Sequence, residues 1–314
     1  MLRKAQVVDH LLITVCVGAT KPSSLPNLVR AIRRQQWQEW ELVILGQGPR
    51  ESELRGAVSR AADGDGRIRY QHLSQSGLSR ARNHSLEVAD GAVLAFTDDD
   101  CEPQDDWLST LAAAFGADPA LGVVGGAVVC PVERLGPLAT CPVLTPTEAL
   151  YDPARNRQDP PLGWDWIGAN FAIRREVAKT IGRFDECLGA GADFPAGEDT
   201  DYKLRLEKAG VRMLSTPRSV VLHAAGVRRG LAQVLRSQSN YSTGNGALAA
   251  KLTLMDDPRG ELWLQDTLST GRIRGHLRNP TRIGVDLRRA RIFAAAYECC
   301  KSRFRVEGGL LRLR

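Results

Sequence analysis

GLSRARNHSLEVADGAVLAFTDDDC, residues 77 to 101, is the stretch whose reading decides the fold. Its first part, GLSRARNHSLEVAD, carries a helical pattern opened by a glycine. The second part, GAVLAFTD, is an apolar run that ends in acid and reads as a buried strand. A helix feeding straight into a buried strand is half of a βαβ unit. In an open parallel sheet, ligands collect beyond the carboxyl ends of the strands, where loops vary over a rigid frame. Asp98, Asp99 and Asp100 stand at such an end.

Outward from there the alternation continues. Upstream, HLLITVCVGA (10 to 19) reads as a first buried strand. Ser24 is placed to cap a helix whose first turn holds Pro26 and whose apolar face is Leu25, Leu28, Val29 and Ile32. ELVILG (41 to 46) is a second strand, a polar helix covers 51 to 62, and RIRYQHL a third strand. Downstream, WLSTLAAAFG reads as a helix and LGVVGGAVVC as a strand, before a proline-rich, irregular connection over 131 to 163. WDWIGANFAI (164 to 173) reads as a strand, RREVAKTIG as a helix, 183 to 197 as a Gly-rich loop, EDTDYKLRLEKAG as a helix and VRMLSTPRSVVLH as a closing strand. Past about 230 the pattern is helical and increasingly basic, with Ile283, Leu287, Ile292, Phe293 and Tyr297 as apolar positions in an arginine-rich helix over 272 to 314. The expected class is α/β: a Rossmann-like, mostly parallel central sheet with helices on both faces, plus a C-terminal helical extension. The expected domains are 1–230, with a nucleotide-binding half over 1–130 and an acceptor-side half over 131–230, and the extension 231–314.

Composition narrows the chemistry. With 43% hydrophobic and 25% charged residues, the 314-residue chain suits neither disorder nor wholesale membrane embedding. No apolar run approaches the length of a spanning helix, and the N-terminal stretch turns into a strand rather than a cleavable signal, so a cytoplasmic location is expected. Seven cysteines without a CxxC pair indicate neither a zinc site nor a disulfide framework. The net charge of +6 is concentrated in the tail, where residues 272 to 314 hold twelve Lys/Arg against Asp286, Glu298 and Glu307. A nucleic-acid enzyme more often carries positive charge beside its chemistry, so no nucleic acid is expected as a partner. The tail suits phosphates, acidic partners or the inner face of a membrane, and a helix packed on the catalytic domain or on a dimer partner accounts for it equally well.

Several residues can carry chemistry, each beside a plainer reading. On an extended segment Asp98 and Asp100 face one side while Asp99 faces the other. An Asp-x-Asp at a strand end suits Mg²⁺ or Mn²⁺ with a nucleotide diphosphate, whereas an isolated acidic turn would cap the following helix equally well. Glu198 and Asp199 open a helix, where the dipole favours carboxylates, and either can also act as a general base. His223 ends the strand VVLH, as a packed residue or as a metal ligand. Arg82, after Gly77, can meet phosphate near a helix start or lie on an exposed face. Trp164 and Trp166 can stack on a sugar or belong to the core.

Taken together and in this order, the segments resemble family 2 glycosyltransferases of the GT-A fold, over about residues 11 to 230. GLSRARNHSLEVADGAVLAFTDDDC is similar to that family's glycine, Arg-Asn helix and strand ending in DxD. IGANFAIRREV, FDECLGAGADFPAGEDTDYKLRLEKAG and VVLH resemble its later segments. The resemblance implies an inverting hexosyltransferase-type enzyme working by single displacement with Mn²⁺ or Mg²⁺. Asp100 and His223 would be on the metal, and Asp98 and Asp99 on the donor together with Gly18, Gln47, Gly77 and Arg82. Asp199 would be the base beside Glu198, with Trp164, Trp166 and Asn170 on the acceptor side. The implied partners are a nucleotide-sugar donor, UDP-sugar favoured, and a carbohydrate, lipid-linked or small-molecule acceptor, in polysaccharide or glycoconjugate biosynthesis. Two stretches depart from the family pattern: Val17-Gly18-Ala19 stands where a Pro-Thr-Tyr-like turn is usual, and Gly46-Gln47 where an acid usually contacts the base. An amide both donates and accepts, so Gln47 can still read a base without supplying charge. The competing expectations are a sugar-phosphate nucleotidyltransferase, which would need a Gly-rich, Lys/Arg-bearing loop that is not evident after the first strand, and a catalytically degenerate partner subunit.

Overall fold

The computed structural model describes residues 10–131, 139–155, 159–269 and 283–314. In chain order its elements are β1 (Ile13–Ala19), α1 (Leu25–Arg33), β2 (Trp40–Gln47), α2 (Glu51–Ala62), β3 (Ile68–Leu73), α3 (Leu78–Val88), β4 (Val93–Asp98), β5 (Glu102–Pro103), α4 (Trp107–Ala117), β6 (Val123–Val129), β7 (Ala139–Thr140), β8 (Ala149–Tyr151), β9 (Asn170–Arg174), α5 (Arg175–Ile181), α6 (Glu198–Lys208) and β10 (Met213–Leu222). They are followed by β11 (Arg228–Arg229), α7 (Gly230–Leu254), α8 (Arg259–Ser269), α9 (Ile283–Arg303), β12 (Phe304–Glu307) and β13 (Leu310–Leu313). These elements form two compact units. One comprises Met1–Ser76, Arg80–Arg183 and Tyr202–Val227, and the other Gly77–Ser79, Phe184–Asp201 and Arg228–Arg314.

The first unit holds a sheet that is nine-stranded among the described residues, in the order β3-β2-β1-β4-β9-β6-β10-β5, with β8 also on β10. β1 is parallel to both β2 and β4. The chain builds outward from β1 through β2 to β3 and then returns to its other side with β4, so the β1/β4 boundary is a topological switch point, where a crevice opens beyond the strand ends. Both faces of β1 are covered, which is why ITVCVGA is almost continuously apolar: Ile13, Val15, Cys16, Val17 and Ala19 are all buried. β9 runs antiparallel to both β4 and β6, so the sheet is mixed rather than uniformly parallel.

Two local expectations change. Ser24 stands at the start of α1 in a helical conformation, and its hydroxyl turns back to donate to the Lys21 carbonyl at 3.1 Å instead of capping. WDWIGANFAI becomes strand only from Asn170. Before it the backbone turns, with Trp164 N–H on Pro161 O and Asn170 N–H on Ile167 O, and this lets the Trp166 ring fold back to stack on Phe171 at 4.6 Å.

β10 carries a marked irregularity. Thr216 pairs with Gly126 and Val220 with the very next residue, Ala127, so residues 217 to 219 have no counterpart on β6. Pro217, without an N–H, cannot continue a ladder and marks the place in the sequence.

In the second unit, α7 packs on α9. A Cβ on Gly246 would come within 2.2 Å of the Phe293 carbonyl oxygen, so the backbones meet at a distance that only glycine permits. The apolar positions of α9 divide accordingly: Phe293 and Tyr297 are buried, Ile292 is half-buried and Leu287 is exposed. Tyr297 Oη also donates to Thr253 Oγ1 at 3.0 Å. The helical reading of 272 to 314 holds for α9 and fails after it. Residues 304 to 313 form a hairpin turned by Gly308 and Gly309, both with positive φ, while 272 to 282 lie outside the described residues. Among the described residues no helix is long and apolar enough to cross a membrane.

Candidate active site

At the switch point Gly18 pairs with Asp98 across the β1/β4 boundary, so the small residue ending β1 lies directly beside the first aspartate. β4 stops there, and the three carboxylates take different directions. The ligand atoms of Asp98, Asp100, Cys101 and His223 all lie within 4.8 Å of one another. Asp99 points away from this group and is spent on the loop after β1: its Oδ2 accepts from the backbone N–H of Thr20 at 2.7 Å and of Lys21 at 2.9 Å. The turn that follows β4, closed by Cys101 N–H on Asp98 O at 3.2 Å, therefore sets Asp98 and Asp100 on one side and Asp99 on the other. For Asp99, the geometry gives loop anchoring where donor contact was expected.

Asp100 is the centre of the cluster. Its Oδ1 lies 3.1 Å from His223 Nε2, and its Oδ2 2.5 Å from Lys21 Nζ. Burial works to raise its pKa, but His223 and Lys21 overcome this and hold the carboxyl well below the usual carboxylate range. Burial alone would lower the His223 pKa; the hydrogen bond and charge of Asp100 raise it instead. The Nδ1 side of the ring faces the Pro142 carbonyl at 3.2 Å, so Nδ1–H donates outward and Nε2 is the nitrogen presented to the acidic group. Asp98 is half-buried, and burial pushes its carboxyl up against the opposing pull of Arg82. Burial also pushes the Cys101 thiol well above its ordinary value. Cys101 packs in the hydrophobic core, so it is the weakest donor of the four.

A divalent cation fits this donor set. Two carboxylates and an imidazole whose far nitrogen is held by a carbonyl form a mixed oxygen and nitrogen set that suits Mn²⁺ alongside phosphate oxygens.

The remaining expected residues fall in several places. Arg82 is buried rather than on an exposed face, donating to Gly168 O at 3.1 Å and acting electrostatically on Asp98. Gln47 is buried at the end of β2, opposite Leu73 of β3. Asn170, expected on the acceptor side, is fully buried: its Nδ2 donates to Ala127 O at 2.8 Å and Ser219 O at 2.9 Å, and its Oδ1 accepts from Trp107 Nε1 at 2.9 Å. Trp166 is fully buried and Trp164 nearly so, edge-on to Tyr151, and neither ring offers a face to solvent. In the second unit, the N-terminal end of α3 holds the Gly-rich loop, with Leu78 N–H on Ala190 O and Ser79 Oγ on Leu188 O at 2.7 Å. Glu198 is buried, and half-buried Asp199 accepts from the Thr200 N–H at 2.8 Å.

Three charged residues were not singled out from the sequence. Lys21 lies two positions past the end of β1. Lys251 and Asp185 belong to a fully buried group in the second unit, with Lys251 Nζ 2.8 Å from Asp185 and 2.6 Å from Asp201. A lysine in the middle of the apolar run GALAAKLTL was the signal for the latter.

The model of the family described as glycosyl transferase family 2 matches residues 12–182, which contain the whole β1–β4 frame and the three aspartates. The chain belongs to that family. Among curated relatives of this family 2 chain, the pre-mycofactocin glycosyltransferase of Mycobacterium tuberculosis is 30% identical over 156 residues, covering 48% of the chain and 31% of the relative. The chain therefore matches only about a third of that protein's length. The glucosyl-dolichyl phosphate glucuronosyltransferase of Haloferax volcanii is 24% identical over 218 residues, covering 67% of the chain and 68% of the relative. Among solved structures, the mannosyltransferase PcManGT from Pyrobaculum calidifontis, in complex with GDP-Man and Mn²⁺, aligns with a TM-score of 0.53 at 15% identity, covering 95% of the chain and 77% of PcManGT. That likeness establishes the GT-A-like fold.

Proposed function

We propose that the chain transfers a sugar from a nucleotide-sugar donor, UDP-sugar favoured, to an acceptor hydroxyl, with inversion by a single displacement. The observation that carries this reading is the arrangement of Asp98, Asp100 and His223 at the switch point, with His223 Nε2 directed inward by the Pro142 carbonyl. Asp98, Asp100 and His223 would hold a divalent cation, which would neutralise charge on the departing diphosphate. Gly18 leaves the backbone open beside Asp98, Arg82 adds a buried positive field, and Gln47 and Gly77 belong to the donor side. Asp199, in the first turn of α6, accepts the proton of the acceptor hydroxyl, with Glu198 beside it. The hydroxyl oxygen bonds to the anomeric carbon as the bond from that carbon to the diphosphate oxygen breaks. The Mn²⁺-bound PcManGT complex and the relatives' names support the donor class, while the altered first and second strand ends leave the nucleotide to be chosen by assay.

The test is a panel of nucleotide sugars with Mn²⁺ or Mg²⁺, scored by thermal shift and then by transfer, on wild type and Asp199→Asn. A donor that binds the folded and not the unfolded chain raises Tm by mass action. The variant is expected to keep that shift and to lose transfer by at least about a hundredfold, the usual weight of general-base catalysis. Full turnover by Asp199→Asn would exclude Asp199 as the base, and pyrophosphate release from a nucleoside triphosphate would favour the nucleotidyltransferase reading.

A further inference from the structure

We infer that Lys21 is a built-in counter-cation on the metal carboxylate, one that a divalent ion displaces and that then turns to the donor diphosphate, so that metal and nucleotide bind cooperatively. The inference rests on the donor and metal reading above and assigns a residue that reading does not use. Both oxygens of Asp100 are engaged, Oδ1 by His223 and Oδ2 by Lys21. A cation that approaches Oδ2 meets the ammonium already bound there, and the two positive charges repel.

The position of Lys21 is constructed rather than incidental. Asp99 grips the backbone N–H groups of Thr20 and Lys21, and the Lys21 ammonium also lies 3.9 Å from Asp99 Oδ1. The loop after β1 is thereby tied to the acidic turn after β4, and the root of the lysine side chain is held beside Asp100. Only the root is held. The side chain is 49% exposed, whereas the carboxylate it meets is 6% exposed, so the ammonium can leave into solvent while Asp100 cannot follow. A lysine on a flexible four-carbon stem is a mobile point charge, suited to exchanging one anion for another, where arginine's planar fork would stay.

The charge balance points the same way. Asp98, Asp99 and Asp100 crowd one strand end, and the nearby cations are Lys21, His223 and Arg82, the three that act electrostatically on Asp98. With a divalent ion in place, the monovalent charge of Lys21 is surplus at the carboxylates. A nucleoside diphosphate brought by the same ion is then an anion within reach of the released side chain. Each ligand lightens the cost of the other, which is a coupling free energy and is reciprocal.

The experiment measures Mn²⁺ affinity from the free-ion paramagnetic resonance signal, without nucleotide and with saturating UDP or GDP, for wild type, Lys21→Met and Lys21→Gln. For wild type, saturating nucleotide should tighten Mn²⁺ binding by about 10-fold or more, within the usual range of couplings. In both variants Mn²⁺ alone should bind severalfold more tightly than in wild type, and the tightening by nucleotide should shrink toward unity. UDP or GDP affinity at saturating Mn²⁺ should fall. Unchanged Mn²⁺ affinity in both variants, with wild type binding the ion, would overturn the role of Lys21 and leave the metal site standing. No Mn²⁺ binding by wild type under any of the three conditions would overturn the metal reading and this inference together.

Discussion

Replacing Lys251 with methionine should destabilise the protein by about 3–5 kcal/mol, the usual cost of breaking a buried ion pair by removing one partner. The ammonium is 1% exposed, Asp185 0% and Asp201 5%, so water cannot take its place. Methionine nearly matches the lysine stem in volume, which keeps the cavity contribution small and leaves the loss electrostatic. Asp185 has other donors: its Oδ2 accepts from the Leu311 N–H at 2.8 Å and its Oδ1 from the Cys187 N–H at 3.1 Å. Those hydrogen bonds hold the carboxylate in place without neutralising it. At about 2 °C per kcal/mol for a chain of this size, Tm should fall by roughly 6–10 °C. A double-mutant cycle separates charge from packing: adding Asp185→Asn to Lys251→Met should cost less than the sum of the single changes. Urea unfolding followed by circular dichroism measures all of these. A Lys251→Met protein within about 1 kcal/mol of wild type, or a strictly additive cycle, would refute the buried charge group as a source of stability.

Asn170→Leu should cost about 2–4 kcal/mol, since it strands the Trp107 indole N–H and the carbonyls of Ala127 and Ser219 in the interior. An unchanged Tm with only a raised acceptor KM would return Asn170 to the acceptor side. In EDTA-treated protein the His223–Asp100 pair stabilises the fold fully only while both partners are charged in both states. The imidazole contribution, from a raised pKa, is complete below about 6.5 and is lost as pH rises through the folded value. That of Asp100, from a depressed pKa, is complete above about 4 and is lost as pH falls through its folded value. The Tm difference between wild type and His223→Asn should therefore be largest between those limits, and a flat difference across pH 4 to 9 would count against the pair. Gly246→Leu drives a side chain into the Phe293 carbonyl and should cost at least about 1–3 kcal/mol by denaturation; tolerance would mean that α7 and α9 part easily.

The α/β alternation was legible because each central strand of the β1–β4 frame is covered on both faces and so spells an apolar run. The acidic turn was legible because chemistry at a switch point needs a strand to end in acid. What stayed hidden depended on partners far away in sequence. Asn170 reads as a polar residue near a sugar until Trp107, Ala127 and Ser219 are seen around it. Lys21 reads as a loop lysine until Asp99 is found gripping its backbone. β9 sits antiparallel between β4 and β6, which no local pattern announces, because a strand buried on both faces looks alike in either direction. The final hairpin was readable: Gly308-Gly309 between FRVE and LLRL is a two-residue turn signal, and the surrounding arginines concealed it.

The three unmatched residues of β10 set how far the strand reaches. Were they paired in turn, β6 would meet residue 219 at Val129 where Leu222 now stands, and His223 would lie about 10 Å further along, at 3.3 Å per residue. The irregularity takes up that surplus length, and His223 N–H closes on the Val129 carbonyl at 2.7 Å with its ring beside Asp100. Residues 217 to 219 thus act as slack in the chain. A residue gained or lost there can be absorbed before the register resumes at Val220, whereas the same change between Val220 and His223 carries the imidazole out of reach of Asp100.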